Sequence, residues 1–144
     1  MAARVKVLFF GRLKELEDAA KAKPAALDFS GVKTAVAGMK SAAEKAKAAQ
    51  EGARGGDRAR LARLNRALVE TEQALLAPEG LAGRPWFRNT IYAPGTYTGY
   101  AAVVLPGVRE AMDKRDWQTA KKEMQALEAA LGRAKTKLEE AAVQ

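Results

Sequence analysis

The 144 residues contain no histidine and no cysteine. Without them there is no thiol nucleophile, no imidazole base, no Ser–His–Asp arrangement and no zinc site built on His or Cys. A disulfide framework is equally excluded, so cysteine usage says nothing of the compartment. Aromatics are scarce at 6 %, and no apolar run reaches the ~20 residues that span a bilayer. Residues 1–10 are too short in apolar content, and lack the cleavage pattern, to read as a signal peptide. Neither a resident metal nor a cofactor is expected. What the chain has in excess is alanine, 32 residues against 12 glycines and 5 prolines, which favours helix over sheet. Length and composition together read as one all-α domain built for association.

The formal net charge is +8, compatible with a basic helical module that binds nucleic acid or another polyanion. Yet Lys40, Lys45, Lys47, Arg54, Arg58, Arg60, Arg63 and Arg66 are spread over two predicted elements, as in a solvated face. Nucleic acid is therefore the alternative partner and not the expected one.

Apolar periodicity lays out an up-and-down bundle of about four main helices. Val5, Phe9, Leu13, Leu16 and Ala20 mark a first helix over 4–22, stopped by Pro24. Ser30 reads as an N-cap for a helix over 30–50 with Val32, Ala35, Val36, Met39, Ala43 and Ala46 on its apolar face. Asp57 caps a third helix over 57–77, whose stripe is Leu61, Leu64, Leu68, Thr71 and Leu75. Pro106 opens a short helix over 106–113, and Asp116 caps a last one over 116–143. The last stripe runs Trp117, Ala120, Met124, Leu127, Leu131, Ala134, Leu138 and Ala141, with Gly132 suggesting a close helix approach.

Two short motifs carry little. Ser30-Gly31-Val32-Lys33 has the Ser-x-x-Lys spacing of some acyl-transfer enzymes but none of its companion motifs. Gly52-Ala53-Arg54-Gly55-Gly56 lacks the Gly-Lys-Ser/Thr of a phosphate loop and reads as a connector.

Residues 78–105 differ in kind. Five of the nine aromatics, Trp86, Phe87, Tyr92, Tyr97 and Tyr100, fall within fifteen residues punctuated by proline and glycine. An ordered loop follows, with the rings expected to be buried and to anchor it structurally.

The run Leu81-Ala82-Gly83-Arg84-Pro85-Trp86-Phe87-Arg88-Asn89-Thr90-Ile91-Tyr92-Ala93-Pro94, then Gly95-Thr96-Tyr97-Thr98-Gly99-Tyr100 and Leu105-Pro106-Gly107, carries a resemblance. It resembles the transferrin-receptor-like dimerisation domain, the C-terminal helical domain of the glutamate carboxypeptidase II and transferrin receptor family, over roughly residues 27–143. The resemblance implies a non-catalytic domain that pairs as a homodimer and, in a full-length parent, packs beside a zinc-peptidase domain holding the metal ligands. It also implies that Tyr100 faces the substrate cleft of such a parent. In the carboxypeptidase branch a Lys-Tyr pair stands there; this chain keeps Tyr100 but has Gly99 in place of the lysine.

Overall fold

The computed structural model describes residues 11–18, 27–97 and 99–143. Among them are five helices: α1 (residues 11–18), α2 (Ser30–Ala53), α3 (Arg58–Ala74), α4 (Pro106–Asp113) and α5 (Trp117–Val143). Two three-residue strands, β1 (Tyr92–Pro94) and β2 (Ala102–Val104), are the only sheet among the described residues, so the fold is all-α as the composition implies. Of the expected first helix, 11–18 is helical with Leu13 and Leu16 buried; Val5, Phe9 and Ala20 lie outside the described residues. The described residues gather into two compact units.

One unit is built from Ser30–Leu76 and the last helix from Glu128 onward. Its core is alanine-rich: Ala42, Ala46 and Ala53 of α2 and Leu64 and Ala67 of α3 pack with Leu138 and Ala141 of α5. Leu61, Leu68, Met39 and Ala49 flank that cluster. Small side chains let helix backbones approach closely, and few large side chains enter this core. Residues 54–57 join α2 to α3. The Asp57 carboxylate accepts the Arg60 amide at 2.8 Å, satisfying one of the orphan donors of the first turn. Gln50 Nε2 donates to Asn65 Oδ1 at 3.1 Å across the hairpin.

Three readings of this unit need correction. The buried alanine of α2 is Ala42 and not Ala43, because the stripe steps by three after Met39 before stepping by four to Ala46. Ser30 is the first helical residue, and its carbonyl accepts the Thr34 hydroxyl at 3.0 Å. A Cβ at Gly132 would meet nothing within 4 Å, so this glycine marks no close helix approach. The close approaches occur instead at Gly31, where a Cβ would press on the Glu128 carboxylate, and at Gly38, beside the Lys135 stem.

The other unit comprises Ala77–Leu127 with the described residues up to Phe29. Its buried side chains include Leu81, Ile91, Leu105, Val108, Met112, Met124 and Leu127. Asp116 caps α5 through both oxygens: Oδ1 accepts the Thr119 amide at 3.0 Å and Oδ2 the Thr119 hydroxyl at 2.6 Å. These bonds favour the ionised carboxyl and hold its pKa below the ordinary value.

Candidate interaction surface

The aromatic segment is shaped by its backbone and by one arginine. Residues 77–88 fold back on themselves: the Ala77 amide donates to Arg88 O at 2.7 Å and the Leu81 amide to Phe87 O at 2.8 Å. Gly80 permits this turn. Its φ is +69°, and a Cβ there would run into the carbonyl of Pro85, so no larger residue fits. Beyond the turn, β1 and β2 pair antiparallel, with Tyr92 opposite Val104, Ala93 opposite Val103 and Pro94 opposite Ala102. Alternation along β1 buries Ala93 and turns Tyr92 and Pro94 outward. The sequence reads this stretch as loop because strands of three residues leave no periodicity to detect.

Arg84 ties these pieces together. Its Nη1 donates to Pro94 O at 2.5 Å, and its Nη2 donates to Glu110 Oε1 at 2.6 Å. The same Glu110 oxygen accepts the Thr96 amide at 3.1 Å. The guanidinium also lies 4.9 Å from the centre of the Phe87 ring, within cation–π range. Both partners of the ion pair are largely buried, with 13 % and 11 % of side-chain area exposed. One guanidinium thus fastens the turn at 81–88, the end of β1 and helix α4. Glu110 was missed in the sequence because a lone glutamate in a short amphipathic helix resembles any surface acid.

A second carboxylate works nearby. Glu123 Oε1 accepts the Ala82 amide at 3.0 Å, and a Cβ at Gly107 would collide with its other oxygen. Burial pushes the Glu123 carboxyl above the ordinary range, opposed by the Ala82 amide and helped by the charge of Glu110. A depression of about 220 Å³ lies beside Gly107, Glu110 and Thr119, and the carboxylates of Glu110 and Asp116 in its lining already accept hydrogen bonds. Among the described residues no group of three or more acids is arranged to hold a metal ion, and no helix is long and apolar enough to cross a membrane.

The entry to α4 is strained. Leu105 holds φ 54°, ψ 53° in the left-handed region, which costs a non-glycine residue roughly 1–2 kcal/mol. Its amide donates to Ile91 O at 2.8 Å and its side chain is 1 % exposed, so burial and the hydrogen bond hold it there.

The rings themselves overturn the expectation of a buried aromatic cluster. Trp86 is 70 % exposed and Tyr97 81 %, while Tyr92 and Tyr100 are exposed as well. Only Phe87, which packs 6.1 Å from Trp86 and under Arg84, is partly covered. Order in this segment comes from Arg84, Glu110 and the backbone ladder, and the rings are left facing water. Tyr100 stands at the tip between the strands, after Gly99 at φ +61°. That backbone suits glycine and supplies a local reason for the residue found there.

Comparison with known proteins agrees with this picture. Residues 27–139 match the family described as the transferrin receptor-like dimerisation domain. A probable glutamate carboxypeptidase of Arabidopsis thaliana is 32 % identical over 87 residues, 60 % of this chain and 12 % of the plant protein. A probable glutamate carboxypeptidase of Arthroderma benhamiae is 38 % identical over 50 residues, 35 % of this chain and 7 % of the fungal protein. The matched stretches are a small fraction of both relatives. With a helical fold, the aromatic segment and a match covering most of its length, the chain belongs to the transferrin receptor-like dimerisation domain family.

Proposed function

We propose that this chain is a self-pairing association domain, joining two copies of a carboxypeptidase-like protein, and takes no catalytic part itself. The observation that carries the reading is the exposure of Trp86, Tyr92 and Tyr97 on a segment whose backbone is already fixed by Arg84 and Glu110. Exposed tryptophan and tyrosine on a rigid support are the side chains that most often anchor interfaces, because they bury much area at little entropic cost. In a full-length protein a zinc-peptidase domain would hold the metal, and Tyr100 would offer its phenol to the substrate cleft. With Gly99 beside it there is no ammonium to receive a glutamate carboxylate, so the substrate would differ from one ending in glutamate.

Sedimentation velocity at micromolar protein tests the pairing. The wild-type chain is expected to sediment as a dimer, and Trp86→Ser with Tyr92→Ser as a folded monomer. A wild-type chain that stays monomeric throughout would overturn the reading for this domain.

A further inference from the structure

We infer that the Arg84–Glu110 pair serves the placement of the exposed rings and not stability, so that Glu110, on α4 and outside the aromatic segment, is a positioning residue of the pairing face. The inference rests on the pairing reading above and names what sets the geometry of that face.

The three rings of the face sit on three separate pieces of backbone. Trp86 belongs to the turn at 81–88, Tyr92 to β1 and Tyr97 to the turn between the strands. Each piece is tied to the same pair. Arg84 lies in the first piece, and the Phe87 ring that it covers stands beside Trp86. Its Nη1 donates to the carbonyl of Pro94, the last residue of β1. The Glu110 oxygen that receives Nη2 also accepts the amide of Thr96, the neighbour of Tyr97. Turning any one piece against the others breaks one of these bonds.

As a source of stability the pair is a poor choice. Taking two charges out of water costs about as much as their attraction offsets, and apolar side chains of similar volume commonly serve as well or better. The cost here is higher still, because Arg84 Nε is buried and bonded to no acceptor among the described residues. What an apolar pair lacks is direction. A planar guanidinium and a carboxylate oxygen fix the angle of each partner as well as its distance. Rings held in one arrangement before contact lose less entropy on pairing, so the affinity of the face depends on that direction.

The test separates pairing from stability in the whole chain. Two variants are compared with wild type by urea denaturation, by sedimentation for the pairing constant, and by nuclear magnetic relaxation of the backbone at Trp86, Tyr92 and Tyr97. Arg84→Met with Glu110→Leu removes the direction and leaves no unpaired charge. Glu110→Gln keeps an acceptor oxygen but leaves the Arg84 charge uncompensated. The double variant should be the more stable of the two yet pair roughly tenfold more weakly than wild type, with faster local motion at the three residues. Glu110→Gln should be less stable yet pair close to wild type. Pairing that follows stability across the two variants, or local motion unchanged in the double variant, overturns the inference. A wild-type chain that stays monomeric, while the double variant still loosens the three residues, overturns the pairing reading alone and upholds the placement.

Discussion

Arg84 Nη2 and Glu110 Oε1 are 2.6 Å apart in a largely buried pair, and the same Glu110 oxygen also receives the Thr96 amide. Removing one member leaves the other as an uncompensated buried charge, which typically costs about 3–5 kcal/mol. Arg84→Met should therefore destabilise by that order. The double variant Arg84→Met with Glu110→Leu should recover part of the loss, because two apolar side chains leave no unpaired charge. Urea denaturation of the two single variants and the double variant measures the coupling. Additive losses would mean that the pair does not act as a unit.

Two residues with positive φ should respond oppositely to glycine. Arg115, at φ 58° after α4, is exposed, so Arg115→Gly relieves strain without losing a buried side chain and should stabilise by about 0.5–1 kcal/mol. Leu105 has nearly the same backbone but is buried. Loss of its side chain costs about 2–5 kcal/mol and exceeds the relief of roughly 1–2 kcal/mol, so Leu105→Gly should destabilise. Chemical denaturation decides both signs.

Glycines divide in the same way. Gly132 lies in mid-helix with open space around it, so Gly132→Ala should stabilise by about 1 kcal/mol through helix propensity. Gly80→Ala meets both a positive φ and the Pro85 carbonyl and should lower the melting temperature markedly. Thermal melts of the two variants should move in opposite directions.

Glu123 makes stability depend on pH. Its folded pKa is raised above the ordinary 4.5, so its favourable contribution is complete below that value and is lost as pH rises through the raised one. Glu123→Gln keeps an oxygen for the Ala82 amide and removes the charge near Glu110. The variant should melt higher than wild type at neutral pH, with the gap closing under acid conditions. A gap that is constant from neutral to acid would show that the carboxylate is not the cause.

The sequence by itself determined the helices, because the stripes Leu61–Leu64–Leu68–Thr71 and Ala120–Met124–Leu127–Leu131 repeat with the period of a helix turn and end in caps such as Asp57 and Asp116. It also carried the family, since the run from Arg84 to Pro94 is specific in residue type and order. Tertiary structure alone decided the orientation of the rings and the role of Glu110. Composition can say that aromatic side chains are concentrated, but whether they face core or water depends on which groups satisfy the backbone beneath them. Here Arg84 and Glu110, twenty-six positions apart, do so, leaving the rings outside. The choice of Ala42 over Ala43 was likewise a matter of which helix face meets its neighbours, since both are alanines and propensity cannot separate them. The absence of histidine and cysteine thus says which chemistry the chain does not carry; what it offers instead, a rigid aromatic surface, came from long-range polar contacts that no local pattern encodes.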